Sequence, residues 1–381
     1  MKKIYWRPKA VSQVALVLIA GLSLVGLAVV ELVPMTEQRP YYQEKLAASE
    51  LAARAMEQIY YARLEQGPEI DASVDPAQSG LIGVPMSPVT SVSGDLVSKQ
   101  TSINPNFAAI LVEMLRRSGV KAGDAVAVGC SGSFPALNIC VYAALETLNV
   151  KPLAISSAAG SQWGANVPGL LWIDMERILA EKNIFTIRSL AVSPGGFEDR
   201  GLGLSDQGLQ MIQEAIDRNG LPRIGTDDFQ QNIEQRMQIY YRNAGRHAIR
   251  AYINVGGGTV SVGRSIGKHM FHPGLNQRAP KHLYRLDGVM PRFMKESVPV
   301  IHLVQIPTLA EQHGLPLTPN SVPEVGEAPI FIGTTYNPWL AGATLVIILA
   351  TLYGFIRSDV GFRLLRVSSP RRDRGYPEPM I

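Results

Sequence analysis

The sequence contains little cysteine and lacks the motifs of the common metal and nucleotide sites. Its 381 residues include two cysteines, and no Cys-x-x-Cys pair or His/Cys cluster occurs, so we expect no bound metal. No Gly-x-Gly-x-x-Gly motif follows a predicted strand and no Gly-x-x-x-x-Gly-Lys-[Ser/Thr] motif occurs. We therefore expect no nucleotide, and no other cofactor is indicated. A disulfide between Cys130 and Cys140 could form in an oxidising compartment, although their positions at the start of one predicted helix are geometrically unfavourable.

Charge is also scarce, because only 18% of the residues are Asp, Glu, Lys or Arg. Two uncharged stretches explain this, residues 14–30 and 338–356, and each is close to the length of about 20 residues that spans a bilayer. Four basic residues precede the first stretch and six arginines follow the second. The positive-inside rule then predicts two transmembrane helices in the cell membrane, with both termini cytoplasmic and the central domain extracytoplasmic.

Each apolar stretch has an alternative interpretation. The first could be a cleaved signal peptide, but no small-x-small site follows Val30. The second could be a buried core helix, but Trp339 and Tyr353 near its ends favour a membrane span.

These patterns divide the chain into five parts. We predict an N-terminal tail and transmembrane helix (1–33), a juxtamembrane helix with a Ser/Pro/Gly-rich loop region (34–103), an extracytoplasmic α/β domain (104–337), a second transmembrane helix (338–357) and a basic cytoplasmic tail (358–381).

The central part alternates short valine-rich runs with stretches of helical periodicity. Strands are predicted at 125–128, 153–156, 185–192, 251–255 and 298–306, with helices between them, including one that begins at Asn104-Pro105. Residues 41–66 are predicted to form a helix that packs on the domain or acts as a stalk, and 67–105 a loop with one or two edge strands. The fold class is therefore α/β, a mostly parallel sheet with helices on both faces and one transmembrane helix at each end. The order of the strands is not readable from the sequence.

Four predicted strands are followed by loops rich in glycine and serine. Because parallel strands place their exit loops at one edge of a sheet, these loops could form a cleft for a carboxylate or phosphate. Alternatively, the small residues only make tight turns. The candidate ligand-binding residues are Ser133, Asn138, Ser161, Trp163, Gly164, Asn166, Gly195, Gly196, Gly256, Gly257 and Gly258.

The first of these loops, GCSGS, is similar to the Gly-x-Ser-x-Gly nucleophile elbow, with serine in place of the last glycine. This makes Ser131 a candidate catalytic nucleophile, whereas Ser133 could be only a helix cap. A triad would need a later acid and a histidine, and the spacing selects none of the candidates, which are Asp174, Asp199, His247, His269, His272 and His302.

Basic residues concentrate in one segment of the domain. Residues 236–296 contain 11 Lys or Arg and 2 Asp or Glu (11 − 2 = +9). Such a surface attracts an anionic polymer or lipid headgroups, unless it is only a solvated face. We expect no nucleic acid partner, because the domain is predicted to lie outside the membrane.

Three blocks carry a family resemblance: TSINPNFAAILVEMLRRSGVKAGDAVAVGCSGSFPALN, ISSAAGSQWGAN and LWIDMERIL. They resemble the bacterial poly-gamma-glutamate system protein family over most of the chain, both apolar ends included. The resemblance implies an accessory role in poly-gamma-glutamate (capsule polymer) biosynthesis or export. It also implies partners among the synthase membrane subunits and the ATP-dependent ligase, but it assigns no residue roles.

Three hypotheses remain open. The leading one is a membrane-anchored accessory protein that binds the anionic polymer or the synthase complex. The second is a serine-dependent gamma-glutamyl hydrolase or transferase, and the third is a structural subunit whose domain only docks partners. The sequence does not decide whether the chain is an enzyme.

Overall fold

A computed structural model of the chain describes residues 13–264, 267 and 269–358. The helices are α1 (Gln13–Leu32), α2 (Tyr42–Gln66), α3 (Leu96–Ser102), α4 (Phe107–Arg117), α5 (Pro135–Thr147), α6 (Trp172–Glu181), α7 (Asp206–Arg218), α8 (Phe229–Ala244), α9 (Thr259–Val262), α10 (Val289–Lys295), α11 (Ile306–Gln312) and α12 (Pro338–Ser358). The strands are β1 (Pro34–Gln38), β2 (Ala125–Ser131), β3 (Lys151–Ser157), β4 (Asn166–Val167), β5 (Leu170–Leu171), β6 (Ala191–Ser193), β7 (Ile249–Val255), β8 (Gly274–Asn276), β9 (Val300–Leu303) and β10 (Ile332–Tyr336). One 3₁₀ turn spans Leu283–Arg285.

The described residues form two compact units. The larger unit, Gln38–Ile332, contains a six-stranded sheet in the order β6-β3-β2-β7-β9-β8. The first five strands are parallel and β8 is antiparallel to β9, so the predicted α/β class with a mostly parallel sheet is confirmed. The chain builds outward from β2 through β3 to β6 and then returns to add β7 and β9 on the other side. The junction of β2 and β7 is therefore the topological switch point, where open α/β sheets bind ligands.

Alternate residues of the strands enter two separate cores, because successive side chains of a strand point to opposite faces. Val126 and Val128 join the core that α2, α4, α5 and α6 cover. Ala125 and Ala127 join the core that α8 and α10 cover. Helices thus cover both faces of the sheet, as the continuous apolar strands predict.

Strands β2, β3 and β7 are each two or more residues longer than predicted, and three other predicted boundaries differ for a visible reason. The strand predicted at 185–192 is reduced to β6, because the backbone amides of Thr186 and Ile187 donate to Glu146 Oε1 at 2.6 and 3.2 Å instead of to a strand. The strand predicted at 298–306 ends at Leu303, since Pro307 lies in the first turn of α11. The helix predicted from Asn104-Pro105 begins at Phe107, because Asn104 Oδ1 closes a turn by accepting from the amide of Asn106 at 2.9 Å.

The region 67–105 contains a short helix, α3, and an isolated parallel bridge between Thr90 and Gly160 where one or two edge strands were expected. Asp95 caps it, since its side chain accepts a hydrogen bond from the amide of Ser98 at 3.0 Å. An N-cap carboxylate of this kind contributes about 1 kcal/mol.

The smaller unit contains α1, α12 and most of β1 and β10, and these two strands form a two-stranded sheet. Two helical segments, Ala15–Leu32 and Pro338–Arg357, are long and apolar enough to cross a membrane by length and composition. The two helices pack closely, because a Cβ placed on Gly26 would lie 2.2 Å from Thr344 Cγ2. Small residues at such contacts are typical of associated membrane helices.

Cys130 and Cys140 are both free and buried. Cys130 Sγ lies 3.8 Å from the hydroxyl of Tyr142, whereas Cys140 faces the carbonyl of Asn104 at the same distance. The structure therefore contains no disulfide between them.

Candidate functional site

The exit loops of β2, β3, β6 and β7 meet in a cleft at the carboxyl edge of the sheet. Its volume is about 290 Å³, and segments of 131–134, 157–161, 195–199 and 257–259 line it together with a strip from 91–99. The strip is held by long-range backbone bonds, from Ser91 N to Gly160 O at 2.9 Å and from Gln162 N to Val92 O at 3.0 Å. The cleft thus combines the switch-point loops with a segment that precedes the sheet in sequence.

Part of the predicted site lines this cleft. Ser131, the last residue of β2, contributes to its wall. The other predicted residues in the lining are Ser133, Ser161, Gly195, Gly196, Gly257 and Gly258.

The remaining predicted residues lie behind the lining and hold the loops in place. Asn166 donates to Val84 O at 2.7 Å and to Thr90 Oγ1 at 2.8 Å, which ties the segment before α3 to the loop after β3. Asn138 is buried in α5 and donates to Ser131 O at 2.9 Å. The side chains of these two asparagines therefore hold the loops in place by hydrogen bonds and do not line the cleft.

The other three predicted residues also contact neighbouring loops. Trp163 is joined to Val84 by a backbone bond of 3.0 Å. Gly164 packs directly on the loop after β2, because a Cβ there would lie 2.8 Å from Gly132 O. Gly256 follows β7 with φ +81°, where a Cβ would lie 3.5 Å from that of Ser131.

Lys99 and Asp95 are charged residues of the cleft lining that no sequence motif singled out, and Lys99 is the buried one. Only 3% of it is exposed, and its Nζ lies 2.9 Å from Ser161 Oγ and 3.7 Å from the centre of the Phe134 ring. The ammonium also donates to the carbonyl of Ser133. Burial lowers the pKa of Lys99 to about 7, and the Asp95 carboxylate opposes part of that shift. The sequence signal for its helix was the cap Asp95 three residues before Ser98.

Lys99 differs from the other buried lysine among the described residues. Lys45 Nζ pairs with Glu113 Oε2 at 2.6 Å and donates to Ile330 O at 3.0 Å. In the part of the chain that the structure describes, no carboxylate pairs with Lys99 within ion-pair distance, and its partners are neutral oxygens and an aromatic ring. Buried charges are ordinarily paired, so the Lys99 site is electrostatically incomplete.

Asp199 lines the cleft, and its carboxylate is paired with Arg236. Arg236 Nε donates to Asp199 Oδ2 at 2.9 Å and its Nη2 donates to Ser193 Oγ at 2.9 Å, while Ser193 Oγ donates to Asp199 Oδ1 at 3.1 Å. Arg236 belongs to the basic stretch 236–296, and other cations of that stretch are likewise paired, with Arg264 on Glu198 at 2.9 Å and Arg292 on Asp287 at 2.9 Å. The local excess of positive charge is therefore partly neutralised by acids from inside and outside the stretch.

Ser131 is not joined to any histidine by a hydrogen bond among the described residues. Its Oγ accepts from the amide of Ser133 at 3.1 Å. His302 lies on β9 with its Nδ1 3.1 Å from Asn254 Nδ2, and burial lowers its pKa to about 4. Asp174 accepts from the amide of Leu171 at 2.9 Å and pairs with an arginine of α7, so it serves the start of α6. Ser131 as a nucleophile stays a prediction.

The start of α5 supplies a second electropositive feature of the cleft. Phe134 occupies the N-cap position without a side-chain cap, and Pro135 is the first helical residue. Ser133, which the sequence offered as a cap, instead accepts a hydrogen bond from the amide of Ser161 at 3.0 Å. The start of α5 therefore borders the cleft through Ser133 and Phe134 and has no side-chain cap, which leaves the positive end of the helix dipole close to the cleft wall.

Among the described residues, no group of three or more His, Cys, Asp or Glu side chains is placed to hold a metal ion. Comparison of the chain with protein-family models, with curated proteins and with solved structures gives no match. The class that fold and cleft define is a doubly wound α/β protein with a serine- and glycine-lined cleft at its switch point.

Proposed function

We propose that the chain is a membrane-anchored accessory protein of poly-gamma-glutamate biosynthesis or export whose cleft holds a carboxylate of the polymer. The observation that carries this proposal is the buried Lys99 ammonium, which has no carboxylate partner among the described residues. A bound carboxylate would complete its ion pair, and the uncapped start of α5 would add favourable potential.

The other parts of the proposal come from the sequence. The two apolar helices support anchoring in the lipid bilayer, and the basic residues at both ends support cytoplasmic termini. The resemblance supplies the polymer and the expected partners, which are the membrane subunits and the ligase of the synthase. A polymer with one free carboxylate per residue would present such a group to Lys99 at any position along its length.

Binding of defined-length poly-gamma-glutamate to the full-length chain in detergent tests the proposal. We expect affinity to fall with rising salt. We also expect it to fall as pH rises above about 7, because the free site then loses the Lys99 proton that the carboxylate prefers. Lys99→Arg keeps the charge and should retain binding, whereas Lys99→Met should lose it.

Two controls sharpen the measurement. Lys121→Met removes an exposed lysine outside the cleft and should leave binding unchanged. Equal affinities of the wild type and Lys99→Met, both correctly folded, would refute polymer binding at this cleft.

A further inference from the structure

Ser161 and Lys99 are within hydrogen-bond distance of each other in the wall of the cleft. Ser161 Oγ lies 2.9 Å from Lys99 Nζ, and both side chains are nearly excluded from water, with 5% and 3% exposed. Both residues line the same cavity of about 290 Å³. The pair comes from two distant parts of the chain, the strip before α4 and the loop after β3.

A serine and an amine at this distance have the geometry of a nucleophile and its general base. The base must be able to lose its proton near neutral pH, and burial beside neutral partners favours the uncharged amine of Lys99. Ser133 O and the Phe134 ring fix the position of the amine.

The other serines at this edge lack such a partner among the described residues. Ser131 Oγ accepts from the amide of Ser133, and Ser133 Oγ accepts from the amide of Ser161. Ser91 Oγ donates to Gly160 O at 3.1 Å. Ser161 is thus the hydroxyl that the fold places against a buried amine.

We propose that Ser161 is an acyl-accepting nucleophile and Lys99 its general base, acting on an amide or ester carbonyl. Neutral Lys99 takes the Ser161 hydroxyl proton as Oγ bonds to the carbonyl carbon. The bond to the leaving nitrogen or oxygen breaks, and that atom takes the proton from Lys99. Water then attacks the acyl-serine, Lys99 accepts a proton from the water, and the carboxylic acid leaves as Ser161 regains its proton.

The start of α5 suits the charge that this reaction develops. The uncapped N-terminus of the 13-residue helix borders the same cavity through Ser133 and Phe134. Positive potential near this helix start would favour the negative charge that develops on the carbonyl oxygen in the tetrahedral intermediate.

This inference goes beyond polymer binding and does not depend on it. A carboxylate bound at Lys99 would keep the amine protonated, so occupancy by an anion and acyl transfer exclude each other. Poly-gamma-glutamate should therefore slow acylation of Ser161 if both proposals hold. It should leave the rate unchanged if only the catalytic one holds.

The test uses the full-length chain in detergent with a fluorophosphonate that phosphonylates activated serines, followed by peptide mapping by mass spectrometry. We expect the label on Ser161, with a rate that rises with pH as Lys99 loses its proton. Lys99→Met should slow labelling by about 100-fold or more. Lys99→Arg should slow it similarly, because arginine stays protonated. Ser161→Ala should abolish it, and Ser73→Ala, an exposed serine outside the cleft, should leave it unchanged.

Several outcomes would overturn the proposal, and the wild-type map alone can do so if the variants fold poorly. Label found on Ser131 instead of Ser161 would reassign the nucleophile. Absence of label between about pH 6 and 9 would remove the activity. Labelling of Lys99→Met at the wild-type rate, with an unchanged circular dichroism spectrum, would remove Lys99 as the base.

Discussion

Burial of the Lys99 side chain couples the stability of the α/β unit to pH. The pKa is about 7 in the folded chain and about 10.4 in an unfolded one. Between these values the unfolded chain holds a proton that the folded chain lacks, so the free energy of unfolding rises with pH in this window. Below pH 7 both states are protonated and the cost of burying the charge is greatest.

The corresponding prediction compares the wild type with Lys99→Met in chemical unfolding at several pH values. From pH 7 to 9 we expect the wild type to gain roughly 2 to 3 kcal/mol relative to the variant. The comparison cancels the other titrating groups, since they are common to both proteins. Parallel pH profiles would show that Lys99 keeps its proton when buried.

The chemistry of individual cleft residues was only partly predictable from the sequence. Ser131, Ser133 and Ser161 lie at or after the ends of predicted strands, and parallel strands must bring their exits to one edge. Lys99 lies in a region predicted to be mainly loop, and its place in the cleft depends on backbone bonds such as that from Ser91 to Gly160. Such long-range pairing leaves no periodic pattern in the sequence.

At the scale of elements, the loop after β3 packs without clearance on the loop after β2. A Cβ on Gly164 would lie 2.8 Å from Gly132 O and 2.9 Å from Ser133 Cα, and backbone atoms cannot rotate away. By contrast, Gly258 at the start of α9 has open space around it and a negative φ of −57°.

We therefore predict opposite behaviour for two glycine-to-alanine substitutions. Gly164→Ala should destabilise the unit by about 1 to 3 kcal/mol, the usual cost of overpacking. Gly258→Ala should change stability by less than about 0.5 kcal/mol. Thermal unfolding followed by circular dichroism measures both, and equal shifts would contradict the close packing at Gly164.

The apolar helix α1 offers a similar comparison between a tightly packed glycine and a glycine with open space around it. Gly26 faces Thr344 with no room for a side chain, whereas nothing lies within 4 Å of a Cβ on Gly21. Gly26→Ile should lower the unfolding midpoint in detergent and Gly21→Ile should not. The reverse order would mean that the helices do not associate through this face.

The elements were more predictable than their lengths. Strands β2, β3 and β7 have continuous apolar runs that the sequence displays directly. The strand predicted at 185–192 was wrong over most of its length, because Glu146 captures the amides of Thr186 and Ile187. That carboxylate lies about 40 residues away, beyond the reach of local propensity.

At the scale of the whole molecule, the compact α/β unit begins earlier than residue 104. It spans Gln38–Ile332 and includes α2, whose buried stripe joins the core with α4 and α5. The apolar spacing of α2 predicted a buried face, but periodicity does not identify the partner of a face. A fragment that starts at residue 104 would lack this cover and expose the apolar surface of α4 and α5.

The proposed membrane topology makes a prediction at the same scale. A reporter that works only in the cytoplasm should be active when it is fused to either terminus. A reporter that works only outside the cytoplasm should be active when it is inserted in the exposed loop around residue 72. An N-terminal fusion lost by cleavage would instead indicate a signal peptide. Activity of the cytoplasmic reporter at all three positions would contradict the prediction of two transmembrane helices.

The two buried thiols can report how fast the core of the α/β unit opens. Cys130 and Cys140 are 3% and 0% exposed, and burial raises the pKa of both thiols. An alkylating reagent can therefore react with them only when the surrounding core opens. One thiol is on a central strand and the other on the helix that covers it. Their modification rates therefore report whether sheet and helix part together or in sequence, without any engineered label.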